Sequence, residues 1–403
     1  MEKGKYAIII FLSLSALYFF AIVHRVGVAV IAFDIMDEFK ADASLLGLMS
    51  SMYFFPYAVA QIPVGIMLDR IGIRKTVTML GMVACLGNLI FSLSPSMEVL
   101  TVGRALIGFG VGGFYVSSLK GLAIWFDPKR FATLTGLLTS IGNLGAVFAS
   151  SPLALLTIIL GWRYSFLIIF VFMLFFTGIA WFTIRDEGSG SFRSKGSILG
   201  DLRTIFSRSQ FLTLTLLPLL VYGLFISFQG LWGGTFLMDV YSMSKPLTGN
   251  FLVLIGLGFL ILCPIAGYIS DKTRRRKPVL MVGVLLSLIF WLIMYVAGGS
   301  LGDYQLMSVF FLLGSAFGFC NIYMVMSKEL FTANIYGTAM ACLNTFAFIG
   351  AGFFQYLMGV VLEISYNGSR IFASYQLIFL IGVVCLAASL VITVLLKETF
   401  SDT

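Results

Sequence analysis

The chain has 403 residues, of which 59% are hydrophobic and only 11% are charged. Soluble domains usually carry about 25% charged residues, so this composition excludes an ordinary soluble protein and predicts an integral membrane protein. The formal net charge of +8 needs no nucleic-acid partner, because lysines and arginines that flank membrane spans account for it.

The apolar runs reach twenty residues or more, the length that a helix needs to cross about 30 Å of hydrocarbon. None shows the alternating pattern of a membrane β-barrel, so the predicted fold class is all-α. The first run is too long for a cleaved signal peptide, and we interpret it as an uncleaved span. The twelve predicted spans are 6–30, 44–68, 77–94, 99–125, 131–157, 163–184, 211–238, 248–270, 277–298, 303–327, 335–362 and 372–396.

A segment rich in glycine, serine and arginine follows the sixth span and divides the chain into two halves. We predict an N-terminal six-helix bundle at 1–184, a cytoplasmic linker at 185–210 and a C-terminal six-helix bundle at 211–403. Of the 26 lysines and arginines, 19 lie on the side that carries both termini, 4 on the opposite side and 3 within spans. The positive-inside rule therefore predicts that both termini are cytoplasmic.

The three cations within spans are Arg25, Arg104 and Lys120, and Arg25 follows the only histidine, His24. All 18 acidic residues can be assigned to span ends, loops or termini, so these cations have no evident carboxylate partner. Buried cations are costly and are usually functional. We expect the missing anion to be the substrate, since a guanidinium binds a carboxylate with two hydrogen bonds.

The two halves repeat each other at nearly constant offsets, which indicates a duplicated six-helix unit with pseudo-symmetry between the two bundles. "PVGIMLDRIGIRK" follows span two, and "PIAGYISDKTRRRK" follows span eight. Asp69 and Asp271 are 202 residues apart, and Asn143 and Asn344 are 201 residues apart. The basic run 274–277 in the second copy has lost the frame of the first, and we interpret it as a signal for membrane orientation.

The loop after span two closely resembles the G-x-L-x-D-R-x-G-x-R-K motif of the major facilitator superfamily. Arg104, with glycines at 108, 110 and 112, resembles the arginine and glycine element of that superfamily's fourth span. The resemblance implies a gating loop that latches helices together during alternating access, with a carboxylate paired to basic residues and a glycine that permits close helix approach. Its residues are Gly65, Asp69, Arg70, Gly72 and Arg74, with Asp271 in the second copy.

In that superfamily, spans one, four, seven and ten line the central cavity, and substrates bind near the bilayer midplane. A titratable residue followed by arginine in span one is also similar to the anion:cation symporter branch, whereas "QGLWGG" and "GWRYSF" resemble dipeptide-permease-like carriers. His24 and Arg104 are the predicted proton-coupling residues, since His24 titrates near neutral pH. The predicted substrate-binding residues are His24, Arg25, Lys120, Asn143, Gln229, Trp232, Asn321, Tyr323 and Asn344.

The sequence therefore predicts secondary transport of a small organic anion or zwitterion, such as a carboxylate, an amino acid or a short peptide. Symport and uniport both remain open, as do proton-driven efflux of lipophilic compounds and a non-transporting sensor. An enzyme is disfavoured, because neither G-x-S-x-G nor H-E-x-x-H occurs. We expect no cofactor and no metal, and we expect a monomer in the lipid bilayer whose partners are its substrate and a co-transported proton.

Overall fold

The computed structural model describes residues 2–127, 130–185, 198–365 and 371–400. These residues contain helices and no β-strand, which confirms the all-α prediction. Within them, eleven helices are long and apolar enough to cross a membrane, and one bent pair gives a twelfth. In chain order the spans are Tyr6–Val26, Ala43–Arg70, Gly72–Ser92, Met97–Trp125, Leu134–Ala149 with Ser151–Leu160, Trp162–Thr183, Ser209–Tyr241, Lys245–Thr273, Lys277–Ala297, Asp303–Glu329, Gly337–Ser365 and Ile371–Leu395.

Several spans are interrupted, and proline explains three of the interruptions. A proline ring clashes with the carbonyl four residues earlier and removes one helical hydrogen bond. Pro56 and Pro152 therefore break spans 2 and 5, and the second break bends the helix by 41°. Pro218 begins a π-helical turn in span 7. The separate helices are Glu2–Val26 and Val28–Phe39, Ala43–Ser51 and Phe54–Arg70, Met97–Val111 and Phe114–Trp125, Phe131–Ala149 and Ser151–Leu160, Asp303–Cys320 and Ile322–Glu329, and, in span 7, Ser209–Leu217, Gly223–Ser227 and Gly233–Tyr241.

The chain forms two compact units. Unit 1 comprises the described residues within 1–41 and 48–193, and unit 2 those within 42–47 and 194–403. Residues 186–197 of the predicted linker lie outside the described residues, and a short helix, Ile198–Phe206, precedes span 7 in unit 2. The boundaries 1–184, 185–210 and 211–403 therefore stay a prediction.

Equivalent glycines allow equivalent helix contacts inside each unit. A Cβ atom at Gly108 of span 4 would overlap the backbone of Tyr53 in span 2. A Cβ atom at Gly314 of span 10 would overlap the backbone of Ile255 in span 8 in the same way. Because Gly108 and Gly314 are both one helical turn after a large buried residue, Arg104 and Phe310 occupy matching positions in the two copies. The duplication predicted from the sequence is therefore also present in the helix packing of the two units.

Candidate functional site

The polar centre of unit 1 lies where the first helix is interrupted at Gly27, inside the bundle. His24 and Arg25 form the last turn of the helix that ends at Val26. Gly27 keeps a helical φ of −63° and donates to the carbonyl of Val23 at 2.8 Å, so the next helix, Val28–Phe39, follows after a single residue.

Arg104 holds this helix end from span 4. Its side chain is fully buried, and Nη1 donates a hydrogen bond of 2.7 Å to the backbone carbonyl of His24. The guanidinium carbon lies 4.7 Å from the ring centroid of Tyr53, and the Tyr53 hydroxyl donates to the carbonyl of Ala21 at 2.8 Å. Arg104 and Tyr53 together tie spans 1, 2 and 4 into one polar contact.

Several polar atoms in this centre make no hydrogen bond to a described residue. They are Nε and Nη2 of Arg104 and both ring nitrogens of His24. In the described part of the chain, no carboxylate lies within the 4.0 Å ion-pair distance of Arg104. His24 and Arg104 are fully buried, whereas Arg25 is only half-buried. Of the three side chains, Arg25 is the one that is not fully buried.

Lys120 belongs to a different contact. Its Nζ donates to Asp69 Oδ1 and to the carbonyl of Leu68, each at 2.7 Å. The expectation that Lys120 lacks a carboxylate partner is therefore wrong, because its long side chain reaches the end of span 2. This ion pair groups Lys120 with the loop after span 2 and separates it from Arg104.

The gating-loop residues form a partly connected set. Gly72 has a φ of +85°, so the turn between spans 2 and 3 needs glycine there. The guanidinium carbon of Arg74 lies 4.0 Å from the centroid of Trp181 in span 6, and Arg70 is exposed. A Cβ atom at Gly65 would meet no described atom within 4 Å, so the close helix approach expected at Gly65 is not found.

Arg276 corrects the interpretation of the basic run in unit 2. Its guanidinium contacts Asp271 at 2.5 Å and Glu329 at 2.9 Å, and only 7% of the residue is exposed. Arg276 is therefore the centre of a charged network rather than an orientation signal alone. The acid Glu329 was missed because it is 53 residues away in sequence.

The chain's last described residues complete this network. Glu398 accepts backbone N–H groups from Arg276 at 2.8 Å and Lys277 at 3.1 Å, at the start of span 9. Thr399 donates to Glu329 at 2.7 Å, and the ring centroid of Phe400 lies 5.0 Å from the guanidinium carbon of Arg276. We call these contacts the C-terminal clasp. No motif indicated it, because Glu398 follows Arg276 by 122 residues.

The remaining predicted binding residues occupy separate places. Trp232 is buried and donates to the carbonyl of Gln355 at 2.9 Å, and Gln229 lies buried in the same π-helical turn. Asn321 stands at the break in span 10 and donates to Cys263 Sγ at 3.6 Å.

Tyr323 follows this break and is also buried; its hydroxyl has no hydrogen-bond partner among the described residues. Asn143 donates within its own helix to Thr139 at 3.1 Å, and Asn344 is half-buried in span 11. The binding roles of these residues stay predictions.

The helices and units define a multi-pass helical membrane protein built from a duplicated bundle. The sequence model described as Major Facilitator Superfamily matches residues 8–355 and 244–401. The chain therefore belongs to the Major Facilitator Superfamily, which confirms the resemblance drawn from the loop after span 2.

Two curated relatives show how similarity is distributed. A protein of Cupriavidus necator named "Probable sulfoacetate transporter SauU" is 27% identical over 171 residues, 42% of this chain and 40% of its own length. One of Escherichia coli named "Probable L-galactonate transporter" is 22% identical over 431 residues, 96% of this chain and 89% of its own length. The chain thus matches less than half of the first relative and most of the second.

A solved structure supports the fold at low sequence identity. A bacterial homolog of the human lysosomal transporter Spinster superposes with a TM-score of 0.81 at 17% identity. The superposition covers 99% of each chain. This similarity shows that the fold of the superfamily extends over the whole chain.

Proposed function

We propose that this protein is a secondary transporter of small organic anions that works by alternating access. The observation that carries the proposal is the fully buried Arg104, which donates to the backbone carbonyl of His24, next to Arg25, and forms no ion pair with a described carboxylate. Arginines within a membrane bundle attract an anion and repel a cation. The named substrates of the two relatives, sulfoacetate and L-galactonate, each contain a carboxylate, which supports the same substrate class.

The two arginines have different proposed roles. Arg25 is half-buried and is the proposed contact to the substrate carboxylate. Arg104 is a positioning residue, because it is fully buried and holds the His24 carbonyl. His24 remains the proposed proton-coupling group beside them, since a bound anion favours the protonated imidazole.

Ligand-induced thermal stabilisation of the purified protein tests the substrate class. We expect sulfoacetate or L-galactonate to raise the melting temperature, while galactose and choline, a neutral and a cationic probe, do not. A ligand at about 100 times its Kd stabilises by about 2.7 kcal/mol, which is readily measured. Counterflow in proteoliposomes with the same anions then separates a transporter from a sensor that binds without transport.

Paired variants locate the site. Arg25→Gln should abolish stabilisation by the anions, whereas Arg163→Gln should keep it, because Arg163 is paired with Glu38 at 2.7 Å elsewhere in unit 1. Arg104→Gln should lower both the basal melting temperature and the anion response, since it loosens the helix end. An undiminished anion response in Arg25→Gln would overturn the proposed site, and equal responses to galactose and choline would overturn the substrate class.

The membrane orientation is part of the proposal. The excess of lysine and arginine, 19 residues against 4, supports cytoplasmic placement of both termini. A fluorescent-protein fusion at Thr403 should be fluorescent in a bacterial host, because that reporter matures in the cytoplasm and not after export in unfolded form. A dark fusion at a normal expression level would contradict this orientation.

A further inference from the structure

Each unit has an acidic residue just before the left-handed residue that ends a helix, Glu38 two residues before Lys40 in unit 1 and Asp239 three residues before Ser242 in unit 2. The carbonyl of Met36 accepts the N–H of Lys40 at the helix end in unit 1, and the carbonyl of Leu237 accepts that of Ser242 in unit 2. Lys40 and Ser242 both have a left-handed backbone, with φ of 51° and 53°. Glu38 and Asp239 each lie two residues after the accepting carbonyl. We call the contacts around these acids the outer clasps.

In unit 1 the outer clasp neutralises its acid with a cation. Arg163 binds Glu38 Oε1 through Nε at 2.9 Å and Nη2 at 2.7 Å, and Trp162 Nε1 donates to Oε2 at 2.8 Å. Arg163 also donates through Nη1 to the carbonyl of Ser92 at the end of span 3. The clasp therefore joins the helix Val28–Phe39 to spans 3 and 6 around a paired carboxylate.

In unit 2 the same arrangement lacks the cation. Tyr375, at the start of span 12, donates to Asp239 Oδ2 at 2.6 Å. The next residue, Gln376, stands where unit 1 has Arg163 and donates at 3.0 Å to the carbonyl of Tyr295 near the end of span 9. Gln376 thus repeats the backbone contact of Arg163 without supplying a positive charge to the acid.

Burial makes this difference chemically important. The side chain of the paired acid, Glu38, is 41% exposed. Asp239 is half-buried, and its partner Tyr375 is 2% exposed. Among the described residues, no lysine, arginine or histidine lies within 4.0 Å of the Asp239 carboxylate. A carboxyl group held away from water without a cation commonly exchanges a proton.

The titratable groups near Asp239 include tyrosines that are hydrogen-bonded in different ways. Span 12 supplies Tyr375, whose hydroxyl also contacts Thr235 one turn before Asp239. Tyr241, on the same helix as Asp239, donates instead to the carbonyl of Gly298 at 2.6 Å. Lys245 begins the next helix, and the π-helical turn before Asp239 carries no ionisable side chain.

We propose that Asp239 is a proton-binding site of this protein, with Tyr375 hydrogen-bonded to the carboxyl group in both protonation states. A phenolic hydroxyl can donate to a carboxylate and can equally accept from a carboxylic acid. The outer clasp of unit 2 therefore stays closed while the proton enters and leaves. Proton binding stands apart from the proposed transport function; only its use in coupling rests on that function.

Infrared difference spectroscopy of the purified full-length protein tests proton binding without any transport assay. As the pH is lowered, the wild type should gain the C=O absorption of a protonated carboxylic acid. Asp239→Asn should lose one component of this absorption, and Glu38→Gln, the matched control from unit 1, should retain it. Tyr375→Phe should shift the frequency of the component, because its hydrogen bond is removed.

Two measurements keep the test decisive if Asp239→Asn does not fold. Carbon-13 labelling of aspartate side chains in the wild type should shift the component to lower frequency, and Tyr375→Phe reports on the same group. An absorption change identical in wild type and Asp239→Asn throughout the folded pH range would overturn the proposal, as would a component unmoved by both labelling and Tyr375→Phe. Failure of anion transport contradicts the proposed function and leaves this result unaffected.

Discussion

Neutralising Glu398 should destabilise unit 2 at neutral pH and should have no effect in acid. The carboxylate caps the start of span 9 by accepting the N–H groups of Arg276 and Lys277, and it also accepts those of Thr399 and Phe400. A side-chain cap is worth about 0.5–2 kcal/mol. Glu398 is exposed to solvent, which weakens its electrostatic interactions. We therefore expect Glu398→Gln to lower the free energy of unfolding by about 1 kcal/mol, near the middle of this range.

The pH dependence follows from the pKa of Glu398. Desolvation raises the pKa of the carboxyl group, but the four backbone N–H donors lower it by more, and the net shift is downward. A carboxylate whose pKa is lower in the folded state stabilises the protein fully above its unfolded pKa of about 4.3. The stabilisation is then lost as the pH falls through the folded pKa.

Thermal unfolding in detergent at a fixed scan rate measures the effect. For a unit of about 200 residues, 1 kcal/mol corresponds to about 2–4 °C, so Glu398→Gln should melt a few degrees below wild type at neutral pH. Asp37→Asn is the control, because the Asp37 side chain is 93% exposed and lies 4.0 Å from Lys40 in a solvent-exposed ion pair. A difference between Glu398→Gln and wild type that stays constant or grows in acid would refute the capping argument.

Two further predictions concern helix contacts. Gly108→Ala should strongly destabilise the protein and Gly65→Ala should not, because a Cβ atom overlaps the Tyr53 backbone at the first site and meets nothing within 4 Å at the second; equal melting temperatures would contradict the close approach of spans 2 and 4. A double-mutant cycle of Asp69→Asn and Lys120→Met should give a coupling energy of about 0.5–1 kcal/mol, since Asp69 is 50% exposed in this ion pair. Additive effects on the melting temperature would show that the pair contributes nothing to stability.

Features that depend on local sequence could be predicted, and several were. Length and composition predicted the helical class, and the constant offsets predicted the duplicated bundle. The interruptions at spans 2, 5 and 7 were missed, although Pro56, Pro152 and Pro218 mark them through the proline rule. The proline rule alone would also have predicted breaks at Pro63 and Pro264, which lie inside the continuous helices Phe54–Arg70 and Lys245–Thr273.

Charge partners could not be predicted, because they are selected by packing rather than by sequence distance. Lys120 and Asp69 are 51 residues apart, and Arg276 and Glu329 are 53 residues apart. Counting acids within spans correctly predicted that Arg104 has no carboxylate partner among the described residues, but the same count failed for Lys120. The count failed because Lys120 lies near the end of its span, where its long, flexible side chain extends to Asp69 at the end of span 2.

The two copies share a helix arrangement but differ in the charged residues that they carry. At the matching positions in spans 4 and 10, unit 1 has Arg104 on a helix end, whereas unit 2 has Phe310 packed 5.7 Å from Phe228, centroid to centroid. At the outer clasps the asymmetry concerns the acid, which is paired with Arg163 in unit 1 and has no cation within 4.0 Å among the described residues of unit 2. Since packing alone requires neither difference, the positions where the repeats diverge in charge are the best candidates for function. This reasoning selects the arginines of unit 1 for the anion and adds Asp239 of unit 2 to His24 as a proposed proton-binding group.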